Sequence, residues 1–430
     1  MTRILIALAV GLPLGVVQGQ TVPQSPRLAT LQEEVSAGDS TAVEQFWTEM
    51  KSQQTPLVEK ISNDSNSSSV TFLWKGDANT RNVIVIGGPA GTDIENNQMS
   101  RLPGTDVWYR TYKVRNDARF IYSLSPNDSL IPIESIDPKD REAMNRRLAE
   151  LRPDPFNPRH DPGGMPSSYV ELPEAPPQTW IEPLPGVPHG KVENLTFSSA
   201  ILQNERDVWV YTPPGFSAGQ RYPLLMMFDG VAYIDAAPTP VILDNLIAEK
   251  QIPPLVAVFV GNPTSRSRAV ELACSPTFAD FLATELVPWM RETYATSGDA
   301  RDVAAAGSSL GGLSAACVVL RHPDVIGNAI SQSGSFWWKP DDESEPEWLT
   351  RQYTAAVNTG ARLFLEAGLM EDGTSLTGPS ILEANRDLYQ VLRKKGYTVE
   401  YREFNGGHDF LNWRGSLADG LRFIFSPELQ

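Results

Sequence analysis

The sequence predicts a mostly parallel α/β sheet with helices on both faces, preceded by a small N-terminal β-sandwich domain. Three observations lead there. From about residue 191 onward, short continuous apolar runs alternate with helical patterns, as they do where parallel strands are buried on both sides. Between residues 70 and 124, four short β-like segments are separated by Gly, Pro, Asn and Asp with no helical crossover between them, which suits an antiparallel sandwich. Residues 151–190 hold eleven prolines, and proline fixes φ and removes a donor, so neither helix nor central strand fits there.

In chain order, the 430 residues suit two average domains. The first nineteen stand apart. Met1-Thr2-Arg3 is a short positive start, residues 4–17 are apolar except for Gly and Pro, and Val17-Gln18-Gly19 precedes a cut before Gln20. That is the layout of a secretory signal peptide, residues 1–19, and the apolar run is short for a membrane span. The expectation is an exported protein, periplasmic behind an outer membrane and otherwise secreted, with no membrane insertion after cleavage.

Residues 25–150 form the expected sandwich, with strands at 70–74, 82–86, 107–114 and 119–124, a helix-like stretch at 42–50, and a loop over the Asn/Ser run 62–69. Residues 151–190 are then an extended linker that spaces the domains or lies along their interface. In residues 191–430, strands are expected at 206–212, 223–228, 255–261, 302–306, 328–331, 362–367 and 398–404. Helical patterns lie between them, among others at 277–294, 311–321 and 381–395.

A formal net charge of −16 argues against a nucleic-acid partner. Any anionic ligand then needs a local basic pocket. The four histidines are scattered and no Cys/His spacing matches a zinc site, so neither metal nor other cofactor is called for. Cys274 and Cys317 are the only cysteines. In an oxidising compartment they could pair, but Cys317 sits in an apolar helical pattern where a buried free thiol is common, and the sequence does not decide between the two. Oligomeric state is not legible.

The chemistry centres on Gly307-Ser308-Ser309-Leu310-Gly311, a G-x-S-x-G between an expected strand and an expected helix. That strand–turn–helix context is what a nucleophile elbow requires. Ser309 is the expected nucleophile, and the Leu310 N–H at the helix start is the first oxyanion donor. A tight turn without chemistry would carry the same residues. A serine hydroxyl needs a base, and in this architecture the base is a late histidine. His408 follows Phe404-Asn405-Gly406-Gly407 at the end of an apolar strand, whereas His160 and His189 lie in the Pro-rich stretch and His322 ends the helix after Ser309. The acid should follow a strand between Ser309 and His408. Glu366, Glu371 and Asp372 are the candidates; Glu371 is favoured and Asp372 is the alternative, because both sit on the loop beyond the strand. Gly230 or Val231, after the strand ending at Phe228, is the expected second oxyanion donor.

At this point the residues resemble one family. Ser309 with its flanking Gly-Ser-Ser-Leu-Gly-Gly-Leu-Ser-Ala, Ser331-Gln332-Ser333-Gly334-Ser335-Phe336-Trp337-Trp338, and Gly406-Gly407-His408-Asp409 with Trp413-Arg414-Gly415 are similar to the enterochelin (enterobactin) esterases. Val70-Thr71-Phe72-Leu73-Trp74 and Val107-Trp108-Tyr109-Arg110 resemble that family's N-terminal domain. Asp154-Pro155-Phe156-Asn157-Pro158 and Leu172-Pro173-Glu174-Ala175-Pro176-Pro177 resemble its connecting segment. The resemblance covers roughly residues 70–425 and implies an α/β-hydrolase that hydrolyses the ester bonds of a catecholate trilactone siderophore, a small-molecule partner, releasing iron. It matches Arg268 to a family arginine near the substrate. Trp337, Trp338 and Trp413 are candidates to stack on catechol rings, with core packing the alternative for each. Two other readings remain: a feruloyl- or acetyl-type carbohydrate esterase whose sandwich binds glycan, and a non-catalytic siderophore binder.

Overall fold

The computed structural model describes residues 25–137, 140–373 and 378–426. The expected signal peptide, residues 1–19, lies outside them. The N-terminal part is antiparallel: β1 (Leu57–Ile61), β2 (Asp64–Lys75), β3 (Val83–Ile86), β4 (Ser100–Arg101), β5 (Val107–Arg115), β6 (Arg119–Pro126) and β7 (Ser168–Glu171). They form two sheets, in orders β1-β2-β5-β4 and β3-β6-β7. One apolar cluster joins them, with Val70 and Phe72 of β2 packed with Val85, Phe120, Tyr122 and Val170 of the other sheet. Alternation on β2 sends Leu73 the opposite way, onto Phe46, Trp47 and Met50 of the helix Ala42–Gln53. Both faces of β2 are therefore buried.

Two expectations change here. The Asn/Ser run is not all loop: β2 begins at Asp64, and Ser67, Ser68 and Ser69 pair with Arg115, Val114 and Lys113 of β5 and are buried. Serine is a poor strand former by itself, and cross-strand pairing overrides that preference. The Pro-rich stretch is also more than a spacer. It contributes β7, an edge strand whose proline-free residues pair with Arg119–Tyr122 of β6, and an edge is where a proline-flanked strand is tolerated.

The remaining strands are β8 (Lys191–Ser199), β9 (Asn204–Thr212), β10 (Leu224–Phe228), β11 (Val256–Val260), β12 (Val303–Ser308), β13 (Asn328–Gln332), β14 (Arg362–Gly368) and β15 (Thr398–Phe404). They form one sheet in the order β15-β14-β13-β12-β10-β11-β9-β8. The pairs from β11 through β15 are parallel, and β9 and β8 add an antiparallel edge. Every residue of β10, β11, β12 and β13 is buried, because helices cover both faces. Leu224, Met226 and Phe228 of β10 face a core shared with the helix Leu310–Arg321, while Leu225 and Met227 face one shared with the helices Thr239–Ala248 and Phe410–Phe425. The expected α/β-hydrolase class is the observed one. Among the described residues no helix is long and apolar enough to cross a membrane.

The structure favours pairing over the free thiol that the helical pattern of Cys317 suggested. Cys274 and Cys317 form a disulfide, with Cα atoms 5.5 Å apart across 43 residues of sequence. The sequence pattern placed Cys317 correctly in a helix. What it could not show is that the loop carrying Cys274, which turns through φ 52°, packs against that helix.

Candidate active site

Ser309 stands where β12 gives way to the helix Leu310–Arg321, with φ 57° and ψ −123°. A non-glycine residue held there is strained, and such strain concentrates at functional turns. The turn closes only because Gly307 has no side chain: a Cβ there would lie 2.8 Å from the Gly311 carbonyl carbon. Ser309 N–H donates to Gln332 O at 3.0 Å, and its Oγ lies 3.3 Å from Ser335 Oγ. The Leu310 N–H opens the helix and has no carbonyl one turn back to bond.

His408 lies just beyond β15, before the helix Phe410–Phe425. Its Nδ1 donates to Glu371 Oε1 at 2.5 Å. The other Glu371 oxygen accepts from Ser333 Oγ at 2.8 Å and from Gly368 N–H at 2.5 Å, and the carboxylate is buried. Glu371 thus comes together with His408, and Asp372 is exposed. Glu366 lies elsewhere. It is fully buried, accepts from Gln332 Nε2 and Ser416 Oγ, and burial pushes its carboxyl up to about 8. Of the other histidines, His189 meets Asp244 and His322 meets Asp280.

A cavity of about 380 Å³ opens over Ser309 and His408. Trp413 lines it, sets its ring edge-on to His408 with centroids 4.8 Å apart, and donates from Nε1 to Ser333 Oγ at 3.0 Å. Arg268 also lines it, held by Asp229 through two bonds of 2.6 and 2.7 Å. Asn262 adds a third bond to the same carboxylate at 2.7 Å. Asp229 has φ 55° and starts the helix Gly230–Asp235. Gly230 is obligatory there, since a Cβ would sit 2.8 Å from the Phe259 carbonyl carbon. The missing Cβ of Gly311 would lie 3.5 Å from Asp229 Oδ2, so the Gly230–Val231 turn and the serine elbow are neighbours. Gly230 and Val231 line an adjoining chamber of about 840 Å³ that shares Asp229, Ala232 and Phe410 with the first.

The expected Trp337 and Trp338 are not among the described residues lining the cavity. They pack against the large core, Trp338 edge-on to Trp348 at 6.0 Å. The segment after Ser335 folds back on itself: Trp338 N–H bonds Ser335 O, and Trp337 O accepts from Glu347 N–H. Residues not singled out in the sequence also take part. Asp229 and Ser333 hold Arg268 and Glu371, and Ile121, Asp161 and Met165 form a cavity wall from β6 and the Pro-rich stretch. For Asp229 and Ser333 the signal was a polar residue just past a strand end; Ile121, Asp161 and Met165 carried none.

Comparison with known proteins finds named relatives of this chain. Residues 199–424 match the family model of putative esterases, and residues 69–181 match that of the enterochelin esterase N-terminal domain. An iron(III) enterobactin esterase of Escherichia coli is 33% identical over 76% of this chain and 82% of its own length. The iron(III) enterobactin esterase of Dickeya dadantii is 31% identical over 93% and 96%. The solved ferric enterobactin esterase of Salmonella typhimurium superposes with TM-score 0.73 at 30% identity, covering 89% of this chain and 98% of that one. The Shigella flexneri enterobactin esterase, solved in the presence of enterobactin, gives 0.70 at 30% identity over 89% and 97%. The chain is an esterase and belongs to the enterochelin esterase family.

Proposed function

We propose that this esterase is exported and hydrolyses the trilactone ester bonds of a catecholate siderophore such as enterobactin, free or ferric, so that bound iron is released. The observation that carries the mechanism is that Ser309 and His408 line one cavity while the buried Glu371 bonds His408 at Nδ1. Ser309 Oγ attacks the ester carbonyl while His408 Nε2 takes its proton, and Glu371 at Nδ1 orients the imidazole and stabilises its cation. The N–H groups of Leu310 and of Gly230 or Val231 stabilise the oxyanion. His408 then protonates the departing alkoxide, and water hydrolyses the acyl-enzyme by the same proton route in reverse. Arg268, fixed by Asp229, places a guanidinium beside the substrate, and Trp413 gives it an aromatic wall.

The substrate assignment is supported by similarity that runs through both the antiparallel part and the parallel sheet. Export is supported by the signal-like residues 1–19 and by the Cys274–Cys317 disulfide, since such bonds persist in oxidising compartments. The test is incubation of mature protein and its Ser309→Ala variant with iron-free and ferric enterobactin, resolving products by chromatography. Serine-dependent linear trimer, dimer or monomer is expected. Cleavage of feruloylated glycans with enterobactin left intact would replace this reading by the carbohydrate-esterase one.

A further inference from the structure

The loop that carries His408 is held from outside the parallel sheet. Asn405, three residues before His408, donates from Nδ2 to Asp117 Oδ1 at 2.7 Å, and its carbonyl accepts from Arg119 N–H at 3.0 Å. Asn412, four residues after His408, donates from Nδ2 to Arg119 O at 3.2 Å. Between them Gly406 passes so close that a Cβ would lie 2.6 Å from Arg119 O. Asp117 and Arg119 belong to the sandwich, at the start of β6. Arg119 is itself fixed: it is 7% exposed, bonds Glu171 of β7 at 2.5 Å, and donates to Pro176 O at 2.7 Å. The Glu371 loop leans on the same unit, because Met370 packs against the sandwich core and donates its N–H to Gly406 O at 3.0 Å.

We propose that Asp117 and Arg119 are positioning residues for catalysis, acting through Asn405 and Asn412 to set the imidazole of His408 between Glu371 and Ser309. The proposal rests on His408 being the base. A sandwich that only tethered substrate would not need bonds on both flanks of a catalytic loop. A displacement of about an ångström of a catalytic group is worth about a hundredfold in rate, so modest loosening has a measurable cost.

The test uses the full mature chain and a small aryl ester whose hydrolysis is shown to depend on Ser309. Asn405→Asp sets two carboxylates against each other and should lower kcat about ten- to a hundredfold with KM within about twofold. The swap Asn405→Asp with Asp117→Asn restores a donor and an acceptor across the same gap and should recover most of kcat. In parallel, the far-downfield proton resonance of the His408–Glu371 hydrogen bond should shift or broaden in the single variant and return in the swap. A general loss of packing would lower the melting temperature without that recovery. Unchanged kcat in Asn405→Asp, or loss carried by KM alone, overturns the proposal. If His408→Ala itself leaves hydrolysis intact, the catalytic reading fails instead.

Discussion

Glu371 grips His408 with one oxygen while its other oxygen is pinned by Ser333 and Gly368. Oε1 accepts from Nδ1 at 2.5 Å, and Oε2 accepts at 2.8 and 2.5 Å. A carboxylate so fixed can orient an imidazole and stabilise its cation. Glu371→Ala should therefore lower kcat on a Ser309-dependent ester by about 10²- to 10⁴-fold. Asp372→Ala, on an exposed residue next door, should stay within about twofold. Steady-state rates on the two variants decide between them, and the reverse order would transfer the acid role to Asp372.

The turn at Ser309 also makes a demand on packing. Gly307→Ala would place a methyl group 2.8 Å from the Gly311 carbonyl carbon. Backbone cannot move aside cheaply, and overpacking of this kind costs about 1–3 kcal/mol. The expected result is a lower urea midpoint together with lost activity, whereas Ser309→Ala should lose activity and keep the midpoint.

Glu366 makes stability depend on pH. Burial holds its carboxyl up to about 8, so between the ordinary carboxylate range and pH 8 the unfolded chain is ionised there and the native chain is not. Its contribution is complete below the unfolded pKa and is lost as pH rises toward the folded one, at about 1.4 kcal/mol per unit. Glu366→Gln keeps an oxygen for Gln332 and Ser416 but cannot ionise. Melting curves from pH 5 to pH 8 should show the natural protein losing stability relative to the variant. Asp409, which burial lifts to about 7, is present in both and cancels in the difference. Parallel melting curves would contradict the assignment.

The disulfide closes a separation of 43 residues. By the chain-entropy model a loop of that length contributes about 4 kcal/mol. Replacing Cys274 and Cys317 by Ser together should lower the unfolding free energy by an amount of that order. Urea titration of non-reduced protein measures it, and an unchanged midpoint would show that the bond is not formed in solution.

Much of this molecule is legible from its residues. The continuous apolar runs at 223–228, 255–261 and 302–306 became β10, β11 and β12, because only a strand covered on both faces needs apolar residues at every position. Ser309 was legible because the glycines around it answer a steric demand that local sequence records. His408 was reached by elimination among four histidines. The strand character of Ser67–Ser69 was not legible, since it comes from pairing with β5 rather than from serine. Nor did the sequence settle the choice among Glu366, inside one strand, and Glu371 and Asp372 just beyond it; what sets Glu371 apart is its bond to His408, which acts between loops distant in sequence.

What the sequence determined by itself is periodicity, steric exception and residue chemistry: the parallel sheet, the elbow, and the need for a base after the last strand. These are properties of neighbours along the chain. Tertiary structure alone decided which distant groups meet. It joined Cys274 to Cys317, packed the half-buried Trp337 and Trp338 against the core while placing Trp413 at the cavity, bound Arg268 to Asp229, and laid Arg119 against the loop of His408. The physical reason is the same in each case. Hydrogen bonds and packing act over a few ångströms in space, and residues 293 positions apart, such as Arg119 and Asn412, carry no local mark of the contact they will make.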